Sequence, residues 1–123
     1  MLNGRELYSD KIITNVPEEN IQQHGIDLNV IKINLLTGGG VIPSIGKTLL
    51  GEMEEQPLVS DTLLWRLSPG TYDVTFDQGC DIPNDTMLLI RQRSSLLRNG
   101  TILHSSVFDE IGGASCRERV SSP

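Results

Sequence analysis

Between Thr71 and Asp77 the side chains alternate without a break. Tyr72, Val74 and Phe76 fall on one parity, and Thr71, Asp73, Thr75 and Asp77 on the other. A period of two describes a strand with one apolar and one wet face, whereas a helix would scatter these residues around its axis. Such a strand needs partners, and the chain supplies several. Gly25–Ile33 reads as a second strand, with Ile26, Leu28 and Val30 alternating against Asp27, Asn29 and Ile31. Lys11–Val16 is β-branched and extended, Leu63–Leu67 is apolar and β-like, and Thr101–Leu103 is extended beyond the Asn99-Gly100 turn. Met87–Ile90 is apolar at four successive positions, the pattern of a strand buried on both faces.

Turn residues separate these segments. Pro17 removes a ladder donor within Val16–Asn20, Ser68-Pro69-Gly70 makes a tight turn, and Asp81–Asp85 makes another. Thr37-Gly38-Gly39-Gly40 breaks the second strand, and residues 51–62 form a polar, acidic loop. Helix is confined to two short pieces. Asn3, with Glu6 three residues on, has the form of a capping box and predicts a helix over residues 3–9. Ser94 or Ser95 can cap a second helix ending at Arg98. Short strands with turn signals about every 8–12 residues predict an all-β sandwich or barrel.

A chain of 123 residues is one domain by length, and one that buries roughly two-thirds of its unfolded surface. With aromatics at only 4%, the core must rest on Leu, Ile and Val, with Trp65 inside it. Ten Lys and Arg against sixteen Asp and Glu leave a net charge of −6, which argues against nucleic acid as a partner, since that contact needs a basic face. No apolar run approaches the ~20 residues of a membrane span, and the charged first fifteen residues have no secretory apolar core, so a cytoplasmic protein is expected. Cys80 and Cys116 lack zinc-site spacing and are expected to be free thiols.

The chemistry-bearing segment is Arg91-Gln92-Arg93-Ser94-Ser95-Leu96-Leu97-Arg98, three arginines and two serines in an otherwise acidic chain. Guanidinium forks and hydroxyls suit polyphosphate oxygens. Composition alone leaves open a solvated turn whose arginines pair with local acids. Two further elements bear on that choice: Asp27, at the start of a strand, and His104-Ser105-Ser106-Val107-Phe108-Asp109. Arginines, serines and two carboxylates together could hold a triphosphate with Mg²⁺ and a base. Other features read as structural. Gly46-Lys47-Thr48 only partly mimics a phosphate loop, Glu52, Glu54 and Glu55 sit in a solvated loop, His24 reads as a turn residue, and His104 reads as a strand-end residue with a catalytic base as the alternative.

At these residues the chain resembles the family of trimeric dUTP nucleotidohydrolases and dCTP deaminases. Gly25-Ile26-Asp27-Leu28 resembles its first motif, Arg93-Ser94-Ser95-Leu96-Leu97-Arg98 its second, and Val107-Phe108-Asp109 the start of its third. Leu67-Ser68-Pro69-Gly70-Thr71-Tyr72 and Ile82-Pro83-Asn84-Asp85 fit as intervening turns, so the likeness covers about residues 2–109. It implies a mostly β, distorted-barrel or jelly-roll-like fold, a homotrimer with sites between subunits, a deoxynucleoside triphosphate substrate and Mg²⁺ as cofactor. It further implies that Arg93, Ser94, Ser95 and Arg98 bind phosphate, that Asp27 holds the metal through water, and that Asp109 orients or deprotonates the attacking water. The reaction implied is hydrolysis of dUTP to dUMP and pyrophosphate. The alternatives are dCTP deamination, in which Ser94 and Arg98 would polarise water and base, or a nucleotide-binding remnant.

After Asp109 the family continues with a glycine-aromatic step and another strand, where this chain has Glu110-Ile111-Gly112-Gly113-Ala114-Ser115-Cys116. The expectation is an incomplete β domain over residues 1–110, with 111–123 as an atypical, disordered or foreign tail. A chain without the family's closing arm is expected to be a poor catalyst.

Overall fold

The computed structural model describes residues 1–49, 51–59 and 64–104, and the backbone of 117–122. Within them the chain is mostly strand in antiparallel sheets, with short helices. The elements are α1 (Gly4–Ser9), β1 (Ile13–Thr14), a 3₁₀ turn (Glu18–Asn20), β2 (Val30–Leu36), β3 (Met53–Glu55), β4 (Gly70–Phe76), β5 (Gly79–Cys80), α2 (Ser94–Arg98), β6 (Ile102–His104) and β7 (Arg117–Ser122). Five strands form one sheet in the order β3-β2-β4-β7-β6, and β1 pairs with β5 in a second.

The strongest alternation in the sequence becomes the central strand. β4 lies between β2 and β7, with Val74 opposite Ile33 and Tyr72 opposite Leu35. Ile33, Tyr72, Val74 and Phe76 form the buried core, against which Leu28, Leu35, Trp65, Leu67, Cys80 and Ile90 pack. Tyr72 donates its hydroxyl to the Ser68 carbonyl at 2.6 Å, so the buried ring satisfies its polar tip on the turn that starts its own strand. The parity rule fails at one position. Asp73 belongs to the face expected to be wet, yet it is buried, directly across from buried Asn34 on β2.

α1 follows its capping signal. Asn3 Oδ1 accepts from the Glu6 N–H at 2.9 Å, and Glu6 Oε1 accepts from the Asn3 N–H at 3.5 Å. Its buried Gly4 is packed so closely that a Cβ would collide with the carbonyl oxygens of Gln22 and Gly25.

Several expectations are corrected. The second strand runs over Val30–Leu36 rather than Gly25–Ile33, because before Val30 the backbone bonds go to turn backbone and to the Asn20 and Gln78 amides rather than to a continuous ladder. The acidic stretch 51–62 contributes β3, an edge strand on which Glu54 faces Leu35 and Glu55 faces Asn34. Met87–Ile90 is not buried on both faces: Met87 and Leu89 are exposed while Ile90 packs on the core. Neither serine caps α2; the cap is Arg93, in extended backbone with no side-chain bond. Cys80 is disulfide-bonded, not a free thiol. Apart from these corrections, the backbone of Arg117–Ser122 pairs as β7 between β4 and β6. No helix among the described residues is long and apolar enough to cross a membrane.

Candidate functional site

Asp27 sits in the loop between the 3₁₀ turn and β2, and its backbone is clasped from both sides by one residue. Asn20 accepts the Asp27 N–H on its carbonyl at 2.8 Å and donates its side-chain amide to the Asp27 carbonyl at 2.9 Å. Two residues on, the Asn29 N–H donates to Gln78 Oε1 at 2.8 Å, and Gln78 Nε2 reaches the Asn15 carbonyl at 3.3 Å. Gln78 is 0% exposed and Asn20 8% exposed, so these amides replace a strand ladder inside the protein. The Gln22 N–H donates to the Gly25 carbonyl at 2.9 Å, closing the turn on which α1 rests through Gly4. The loop is therefore held by the fold up to the position that presents the carboxylate.

The arginine segment is built differently. Arg91, Arg93, Ser94, Ser95 and Arg98 are all exposed, and α2 contributes no buried residue. Its far end is closed by glycine: Gly100 has φ +77°, its N–H donates to the Leu97 carbonyl at 3.0 Å, and the Thr101 N–H donates to the Leu96 carbonyl at 3.0 Å. Its near end is tied by Gln92. Nε2 donates to the Thr101 carbonyl at 2.9 Å, and Oε1 accepts from the Leu103 N–H at 2.8 Å.

The two segments meet at one pair. Arg93 Nη1 lies 3.7 Å from Asp27 Oδ2, with the side chains 74% and 34% exposed. That distance is too long for a hydrogen bond, and an ion pair this exposed contributes at most about 1 kcal/mol. The contact therefore says where the side chains point rather than what holds the fold together. The first two sequence motifs converge on it. Ser94 and Ser95 follow Arg93 on the same exposed segment, and Arg98 ends the helix.

Other residues singled out in the sequence lie elsewhere or have structural work. Asp109 lies outside the described residues. His104 is exposed at the end of β6, and His24 is exposed in the turn before Asp27. The N–H groups of Thr37 and Gly38 both donate to the Glu52 carbonyl, at 2.9 and 3.3 Å, closing a loop rather than facing a ligand. Among the described residues, no group of three His, Cys, Asp or Glu side chains could hold a metal ion. A shallow hollow of about 280 Å³, lined by Ile31, Lys32, Glu55, Leu58 and Trp65 among others, shares no residue with the Asp27–Arg93 pair. Asn20, Gln78 and Gln92 escaped the sequence reading. Their only signal was an amide beside a motif, and that signal does not say which backbone groups the amide will meet.

Among the described residues two titration shifts stand out, both in one contact outside the pair. Arg5 Nη2 binds Glu18 Oε1 at 2.6 Å, and this hydrogen-bonded contact raises the arginine and lowers the carboxyl relative to their ordinary values. It ties α1 to the 3₁₀ turn that leads into Asn20.

No family model matches the chain. Individual curated proteins do. It is 34% identical over 98 residues to a probable deoxyuridine 5'-triphosphate nucleotidohydrolase of Halobacterium salinarum, covering 76% of this chain and 59% of that protein. It is also 34% identical over 110 residues to the deoxyuridine 5'-triphosphate nucleotidohydrolase of Methanocaldococcus jannaschii, covering 82% and 65%. The chain belongs to the dUTP nucleotidohydrolase family. A probable member from Aeropyrum pernix matches at 30% over 113 residues, covering 88% of this chain and 66% of that protein. The chain thus spans about three-fifths of the length of the first of these relatives, 59%. The mostly antiparallel β architecture accords with this dUTP nucleotidohydrolase membership.

Proposed function

We propose that this chain provides the phosphate-binding and carboxylate-bearing part of a dUTP diphosphatase, which hydrolyses dUTP to dUMP and pyrophosphate. The observation that carries the reading is the meeting of Asp27 and Arg93, which come from two separate motifs and lie 3.7 Å apart on an open surface. Arg93, with Ser94, Ser95 and Arg98, presents guanidinium and hydroxyl donors to the triphosphate. Asp27 supplies a fixed hard-oxygen donor. Mg²⁺ is commonly held by one or two carboxylates plus substrate phosphates and keeps several waters, and a single partly exposed Asp27 suits that arrangement. When bound, the ion would neutralise charge on the triphosphate.

In the hydrolysis, water attacks the α-phosphorus, the bond from that phosphorus to the bridging oxygen breaks, and pyrophosphate leaves. Asp109 is the base in this reading, orienting the water and taking its proton, because Val107-Phe108-Asp109 resembles the start of the family's third motif. Trimerisation belongs to the same proposal. It is supported by large apolar side chains left on the surface of a single chain, Ile42, Leu49, Met87 and a 91% exposed Ile45 among them. A cytoplasmic setting is proposed with it. The relatives described above are named for dUTP, which favours the hydrolase over the deaminase.

The test is product analysis with dUTP and dCTP in the presence of Mg²⁺. Pyrophosphate from dUTP, lost in Arg93→Ala, supports the reading. Ammonia from dCTP would assign the deaminase instead.

A further inference from the structure

Gln92 stands between two exposed arginines and is itself half-buried. The backbone at Arg93 is extended, with φ −75° and ψ +153°, so neighbouring side chains project to opposite sides. Gln92 points inward, and its amide makes both of its bonds to backbone, donating to the Thr101 carbonyl and accepting from the Leu103 N–H at 2.9 and 2.8 Å. β6 is the last strand of the described sheet, and Gln92 takes the place of a further strand against it at Leu103. These two bonds close the whole α2 segment into a loop. They also fix the facing of the extended backbone at Arg93, and hence the side on which Arg93 emerges toward Asp27.

We propose that Gln92 is a positioning residue for Arg93: it holds the guanidinium toward Asp27 and so sets the affinity for the substrate triphosphate. The proposal rests on the reading of Arg93 as a phosphate ligand. A long, exposed arginine otherwise has many rotamers to lose on binding, and α2 buries nothing that would hold its start in place. Gln92 itself stays turned away from the ligand.

The experiment is a double-mutant cycle on the full chain, read by calorimetry with the non-hydrolysable α,β-imido analogue of dUTP and Mg²⁺. Arg93→Ala should weaken binding by about tenfold or more, and Gln92→Ala by about five- to tenfold, the scale of a charge-assisted bond lost or misdirected. In the Arg93→Ala background the Gln92 substitution should change the Kd by less than about twofold, since coupled sites are not additive. Gln92→Met, which keeps the side-chain volume, runs through the same cycle in case the alanine variant does not fold. A Gln92 effect that persists undiminished without Arg93, or Gln92 variants that bind like the parent while Arg93→Ala does not, would overturn the positioning role. Arg93→Ala binding like the parent would overturn the phosphate-site reading itself, and the proposal with it.

Discussion

The two sides of the candidate site are held to very different degrees. On the Asp27 side, buried Asn20 and fully buried Gln78 satisfy the backbone, and Gly4 lets α1 press against the loop. On the arginine side, every candidate side chain is exposed and one half-buried amide, Gln92, ties the segment down. The contrast separates two tasks. A carboxylate has one short arm, so the backbone must place it. Arginine carries its donors on a long arm, so Arg93 tolerates a segment that buries nothing. The pair at 3.7 Å is the point where the rigid side meets the adjustable one.

This difference should appear as a division between stability and binding. Gln78→Ala is expected to have the largest effect. It removes a fully buried side chain and leaves the part-buried Asn29 N–H and Asn15 carbonyl without their partner, at a cost of about 2–4 kcal/mol in urea denaturation. Asn20→Ala should cost less, about 1–3 kcal/mol, because the Asp27 N–H keeps its bond to the Asn20 backbone carbonyl. Arg93→Ala should leave the denaturation midpoint almost unchanged, since exposed pairs are worth at most about 1 kcal/mol, while its binding effect is large. If Arg93→Ala destabilised the chain as much as Gln78→Ala does, the contrast between the two sides would be wrong.

The smallest effect belongs to Glu18. Arg5 lowers its pKa in the folded chain, so the contact stabilises at pH above the ordinary carboxylate range and is lost as pH falls through the folded value. Glu18→Gln should therefore lower the urea midpoint slightly at neutral pH and not at all in strong acid, and salt should narrow the gap. A gap that widened on acidification would contradict that sign.

The sequence made the scaffold legible where a period repeated. Thr71–Asp77 became the central strand, and Asn3 with Glu6 became the cap of α1. The same rule misplaced the start of β2, because Ile26 and Leu28 alternate within a loop held by scattered bonds to Asn20, Gln78 and neighbouring backbone, not by a continuous ladder. A disulfide at Cys80 and a strand at Met53–Glu55 were equally invisible, the strand because its pairing is with β2, across an intervening loop. For the site, the motifs identified Asp27 and Arg93, and the fold brings them together. The amides behind them left no pattern, because an amide's role is defined by which backbone groups it meets.

The most direct test of the central claim is phosphorus NMR of dUTP titrated with the full chain and with Arg93→Ala at equal concentrations. If Asp27 and Arg93 frame the triphosphate site, the parent should shift or broaden the phosphate resonances, and Arg93→Ala should leave them near their free positions. Equal perturbation by both chains would mean that the triphosphate binds elsewhere, and the Asp27–Arg93 site would be contradicted.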